Sequence, residues 1–185
     1  MRVMNLSPGD ERAIRQTAAL LVEAFKTHWP NAWSNIEAAL EEVHESFGPD
    51  RISRVAVDDE GTVLGWVGGI SEYDGNVWEL HPLVVRPDRQ RQGIGRALVA
   101  DLQERVRERG GFTITLGTDD EDDMTTLGGV DLYPNVLEHA ANVKNLRGHP
   151  YEFYQRQGFV IVGVLPDANG PGKPDIIMAK RVEQP

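Results

Sequence analysis

No cysteine occurs among the 185 residues. Its absence excludes a disulfide framework, a thiolate zinc site and a Cys nucleophile. Positive charge is scarce as well: 19 Lys plus Arg face 29 Asp plus Glu, a formal net charge of −10. That balance repels nucleic acid and anionic membrane surfaces as main partners, and it is compatible with a cationic substrate. No apolar run is long enough to span a bilayer. The first nine residues carry no signal-type apolar stretch before Asp10, Glu11 and Arg12. The cytoplasm of a bacterium-like cell is therefore the expected location. No repeat, linker or low-complexity tract interrupts the chain, which predicts one domain over 1–185. At 40% hydrophobic and 26% charged residues, the composition is that of a globular protein with a real core.

Periodicity supplies the elements. A short strand is expected over 2–6, then a helix opened by Ser7-Pro8 with the stripe Ile14, Ala18, Leu21, Val22 and Phe25. A second helix is expected from Ser34, with Glu37 closing a capping box and Ile36, Leu40, Val43 and Phe47 on its apolar side. The period then changes to that of strands. Ser53–Val57 and Thr62–Ile70 form a hairpin, and Val77–Val85 reads as the third strand of a meander. A long helix follows to about Arg109, with Ile94, Leu98, Leu102 and Val106 buried and Gly110-Gly111 as its stop. Phe112–Leu116 reads as a strand, Pro150–Gln157 as a helix, and Phe159–Leu165 with Asp175–Arg181 as a final hairpin. The order β-α-α-β-β-β-α-β-α-β-β predicts an α/β (α+β) fold, with a mixed, mostly antiparallel sheet flanked by helices.

Chemistry is written most clearly at Gln90–Gly95. A strand ending in Val84-Val85 runs through a turn with two glycines directly into a helix. Gly93 and Gly95 admit close backbone approach, and the first-turn amides of the helix point outward. Together with the helix dipole this makes a pyrophosphate site. Arg86, Arg89, Arg91 and Arg96 surround it with cations in an otherwise acidic chain. A dinucleotide fingerprint needs a third glycine where Leu98 stands, and a P-loop needs Gly-Lys-Ser/Thr; both are missing.

The pattern Gln90-x-x-Gly93-x-Gly95, opening a long helix after an antiparallel meander, resembles motif A of the GNAT superfamily of acyl-CoA-dependent N-acetyltransferases. The helix Phe153-Tyr154-x-x-x-Gly158-Phe159 before the last hairpin fits the same fold. Four stretches narrow the likeness: Trp78–Val85, Thr115–Asp120, His149–Tyr154 and Gly172–Asp175. Together they resemble aminoglycoside 6'-N-acetyltransferases of the chromosomal enterococcal type, over roughly Trp66 to Arg181. Trp29-Pro30 is the one shared landmark nearer the N-terminus. The resemblance implies acetyl-CoA as acetyl donor, a small polycationic aminoglycoside as acceptor, a role in antibiotic resistance and a homodimer. It implies cofactor contacts at Leu83, Val84, Val85, Gln90, Arg91, Gln92, Gly93, Ile94, Gly95 and Arg96. Many members carry an Asn shortly before the tyrosine helix. Here Asn145 and Arg147 lie nine and seven residues before Tyr154, so that contact is not assigned.

Acetyl transfer requires an unprotonated amine, a polarised thioester carbonyl and a proton for the departing thiolate. Strand alternation puts Glu79, His81 and Leu83 on one face, with Trp78 and Leu80 on the other. Glu79 is the candidate base, or the anion that holds the reactive ammonium. His81 is a candidate relay, with a structural histidine as the alternative. Pro82 cannot donate a ladder hydrogen bond, which predicts a bulge or splay at mid-strand and leaves the Leu83 N–H as an oxyanion donor. Tyr154 is the candidate general acid.

Asp119-Asp120-Glu121-Asp122-Asp123 is the densest charge run, and such runs are commonly solvated loops. Following a strand beside the expected cofactor turn, Asp119 and Asp120 are candidates for substrate ammonium groups, and Trp29 for an apolar or cation–π wall. His28, His44, His139 and His149 lack metal-binding spacing, so no metal is expected. Two readings stay open beside the leading one: a GNAT enzyme for another amine, such as a polyamine or protein N-terminus, and a non-catalytic acyl-CoA-binding module.

Overall fold

The computed structural model describes residues 1–26 and 32–184. The chain groups into two compact units, Met1–Ile114 with Val182–Pro185, and Thr115–Arg181.

In the first unit, β1 (Arg2–Asn5), β2 (Arg51–Val57), β3 (Val63–Glu72) and β4 (Val77–Val85) form an antiparallel meander in that order. Helices α1 (Glu11–Phe25) and α2 (Ile36–Glu45) pack on one face of it. Ile14, Ala18 and Leu21 of α1, with Ala39 and Val43 of α2, share a core with Val55, Trp66 and Val84 of the strands. Helix α3 (Ile94–Glu108) covers the other face. A Cβ at Gly65 would lie 3.0 Å from Leu98, and one at Gly69 would lie 2.9 Å from Leu102, so β3 lacks side chains where α3 sits closest.

Both early helices start later than the sequence suggests. Asp10, rather than Ser7, caps α1 by accepting the Ala13 N–H at 3.0 Å, and Ser7-Pro8 lies in the preceding turn. Asn35, rather than Ser34, caps α2 through the Ala38 N–H at 2.9 Å. Neighbouring Ser, Asp and Asn residues are all competent caps, and the packing of the helix decides among them. Ile36, placed on the apolar stripe, is exposed.

In the second unit, β5 (Thr113–Asp119, beginning at the end of the first), β7 (Asp175–Arg181) and β6 (Val160–Leu165) lie side by side in that order, β6 and β7 antiparallel. β5 runs three residues past the predicted Leu116. Helix α5 (Tyr151–Arg156) stands where a helix is expected, and α4 (Val136–Ala141) is an addition to the predicted order. It buries no residue, so no apolar stripe announces it. Among the described residues, no helix is long and apolar enough to cross a membrane.

Candidate active site

The turn after β4 has the backbone expected of an anion cradle. Pro87–Arg89 make one 3-10 turn, Arg91 has φ 60° and Gly93 takes the left-handed conformation, φ 85° and ψ 0°. Gly93 is also the N-cap of α3 and carries no side chain to satisfy the first-turn amides, which stay available to a ligand. Ile94 is buried and anchors the helix start. The four cations are not equivalent. Arg86 holds Asp88 at 3.0 and 3.1 Å, and Arg89 approaches the same carboxylate at 3.7 Å. Asp88 thus offsets charge that composition assigns to the turn. Arg91 and Arg96 form no ion pair among the described residues.

On β4 the expected irregularity sits at Pro82. Val67 opposes Leu83, but Gly69 opposes Leu80, so His81 and Pro82 together face Gly68 in a bulge. A Cβ on Gly68 would collide with the His81 carbonyl, so the bulge requires glycine there. The bulge also corrects the predicted face. Opposed residues of an antiparallel pair share a face. Glu79 opposes Ile70, on the side away from α3, whereas Leu83 opposes Val67, on the α3 side with Gly65 and Gly69. Glu79 and His81 therefore share a face, and Leu83 points its side chain to the other. The Leu83 amide is a separate matter. Arg86 N–H donates to the Leu64 carbonyl at 2.9 Å, so by ladder alternation the Leu83 N–H is directed away from β3.

His81 has a partner that the sequence does not reveal. Its Nε2 lies 3.8 Å from Glu42 Oε1 on α2, and Glu42 Oε2 accepts the Trp33 indole N–H at 3.4 Å. A cavity of about 170 Å³ opens beside them, lined by Glu42, Glu45, Ser46, Gly68, Ile70 and His81. Glu42 stands in a helix with Glu37, Glu41 and Glu45, and nothing in the sequence singles it out.

The acidic run, in the second unit, is mostly committed to the loop's own architecture. Asp120 is fully buried; Oδ1 accepts the Met124 N–H at 2.6 Å, and Oδ2 accepts the Thr125 N–H and hydroxyl at 2.8 and 2.7 Å. It does not face a substrate, which corrects that expectation. Glu121 pairs with Lys173 at 3.7 Å, and the Asp123 carbonyl accepts from Arg147. Asp119 is half-buried, with one carboxylate oxygen on Asn169. Trp29 lies outside the described residues.

Tyr154, on α5, is half-buried, with edge-on rings at Phe153 (5.1 Å) and Phe159 (5.7 Å). Burial pushes its phenol above the ordinary range. His149, just before α5, is 2% exposed, and burial lowers its imidazole below the ordinary value against the opposing pull of Asp119 and Asp120. The sign follows from linkage. Above about pH 6.5 the imidazole is neutral in folded and unfolded chains alike; below it only the unfolded chain takes up the proton, until the folded value is reached. Stability therefore falls as pH drops below about 6.5, and urea titrations of His149→Asn are expected to show a flatter pH dependence there.

Residues 17–126, more than half of the chain, match the model of the acetyltransferase (GNAT) family. The chain belongs to that family. Among solved GNAT structures, an aminoglycoside 6'-N-acetyltransferase complexed with coenzyme A is 42% identical, covering 100% of this chain and 99% of its own, with a TM-score of 0.90. One from Enterococcus faecium is also 42% identical at the same coverage, TM-score 0.89. A type Ii aminoglycoside 6'-acetyltransferase is 36% identical, again over 100% and 99%, TM-score 0.75. No curated protein sequence resembles the chain closely enough to count as a match. The α/β fold of these GNAT relatives is the fold of this chain.

Proposed function

We propose that this GNAT chain is an acetyl-CoA-dependent aminoglycoside 6'-N-acetyltransferase, a single domain over 1–185. The observation that carries the reading is full-length 42% identity to a 6'-N-acetyltransferase complexed with coenzyme A. The uncapped start of α3, with Arg91 and Arg96 outside any ion pair among the described residues, fits the cofactor's pyrophosphate. Leu83, Val84, Val85, Gln90, Gln92, Gly93, Ile94 and Gly95 complete the group that would hold it.

Acetyl-CoA supplies an acyl group activated as a thioester. Glu79 holds the 6'-ammonium and accepts its proton, with His81 orienting the acceptor or relaying that proton. The Leu83 N–H donates to the thioester oxygen as negative charge grows there. Tyr154 donates its phenolic proton to the sulfur as negative charge develops there. Asp119 takes a second ammonium of the polycation. Asp120 is left out of this role. Asp120→Ala is expected to lower unfolding stability by about 3 kcal/mol, by stranding buried donors, while the aminoglycoside KM stays within about twofold. Urea denaturation and steady-state rates read the two effects separately.

The homodimer, the cytoplasmic location and the resistance role belong to the same reading, supported by the family likeness. Thiol release from acetyl-CoA tests its centre. A kanamycin-type 6'-amine is expected to react more than about 100-fold faster than its 6'-hydroxyl analogue, because only the amine gives Glu79 a cation to bind and a nucleophile to free. Equal acetylation of both overturns the regiochemistry. Coenzyme A binding without thiol release for any amine leaves a non-catalytic acyl-CoA module instead.

A further inference from the structure

We propose that His149 is a positioning residue for acetyl transfer, fixing Tyr154 by tying the first amide of α5 to the carbonyl of Asp119, the last residue of β5. The inference rests on the reading of Tyr154 as proton donor. The Tyr151 N–H lies 3.2 Å from His149 Nδ1, and the Asp119 carbonyl lies 3.0 Å from Nε2. An amide N–H only donates and a carbonyl only accepts, so Nδ1 is bare and Nε2 carries the hydrogen. Both ring nitrogens of a side chain 2% exposed are thus engaged by main chain from two different elements.

Helix α5 needs such a tether. It has six residues, too few to persist by its own hydrogen bonds, and its N-terminus has no other side-chain cap. Tyr154 follows Tyr151 by three residues, one turn along the same helix, so whatever sets Tyr151 sets the phenol. The approach to α5 is also closed. Asn145 Oδ1 accepts the Gly148 and His149 amides, each at 2.8 Å, and its Nδ2 donates to the His149 carbonyl at 2.9 Å. Asn145 in turn bridges to Thr125, which Asp120 holds. The acidic run thereby acts on Tyr154 through a chain of hydrogen bonds ending at His149.

A double-mutant cycle with the full chain and acetyl-CoA tests this. His149→Phe keeps a ring of similar shape and loses both bonds; it is expected to lower kcat about tenfold with the acetyl-CoA KM within twofold. In a Tyr154→Phe background the same change is expected to lower kcat less than twofold, because the group it positions is gone. His149→Asn, which keeps an acceptor for the Tyr151 amide, is expected to recover part of the loss and serves in place of Phe if that variant does not fold. A tenfold loss repeated in the Tyr154→Phe background makes His149 merely structural and overturns the proposal, as does unchanged kcat in His149→Phe. Unchanged kcat in Tyr154→Phe alone is a different result: it removes Tyr154 as proton donor, and the proposal with it.

Discussion

Glu79→Gln is expected to lower kcat/KM for a 6'-amino aminoglycoside by about 10²–10³-fold, the range that a positioned base supplies. Gln keeps the length and one hydrogen-bonding oxygen of the side chain but cannot take a proton. Glu79 is half-buried on the bulged half of β4, on the His81 side, and has no ion pair among the described residues. The substitution therefore strands no partner, and thermal stability is expected to change by less than about 0.5 kcal/mol. The defect should also shrink with rising pH. As the solvent takes over removal of the ammonium proton, the base matters less, so the two kcat/KM profiles converge on the alkaline side. A variant that keeps half of the wild-type kcat/KM at neutral pH removes Glu79 as the base.

Gly68→Ala is expected to be as damaging although it touches no substrate. The added Cβ meets the His81 carbonyl, main chain that no rotamer can move. Either β3 bends away or the bulge is expelled. Expulsion shifts the register of everything behind it by one residue and exchanges the two faces. Val84 then leaves the core it shares with Trp66, and the Leu83 amide turns toward β3. A loss of about 2–3 kcal/mol in stability is expected, with kcat reduced more than about 100-fold in whatever remains folded. Gly163→Ala is the control, since a Cβ there meets nothing within 4 Å and its φ is not positive. Urea denaturation and thiol-release assays should separate the two alanine variants plainly; equal behaviour refutes the role given to the bulge.

Local signals were readable wherever one stretch of chain decides the outcome. Val77–Val85 has the predicted bounds, and α3 buries the predicted Ile94, Leu98, Leu102 and Val106, because a strand end, two glycines and a four-residue step all lie within thirty residues. Pro82 announced its bulge by lacking an N–H. What the bulge does to Leu83 was not readable, since alternation counted along the strand assumes a regular partner strand. Pairings over long separations left no trace. Glu42 reaches His81 and His149 reaches Asp119 only after helices and strands have packed. The acidic run shows the limit of composition most sharply. Five acids in sequence look alike, yet Asp120 lies in the interior holding three donors while Asp122 is exposed.

One extra residue at His81-Pro82 divides β4 into two halves with different duties. Before it, the side chains of Glu79 and His81 lie on the face away from α3, where the proposed reaction puts the acceptor; after it, the proposed contribution at 83–85 to the donor is main chain, which any non-proline residue can supply. In the proposed reaction, with Glu79 kept, substitutions at 81 would retune the amine that is accepted without altering how the acyl donor is held. A lineage can change its target molecule one side chain at a time while its donor chemistry stays intact.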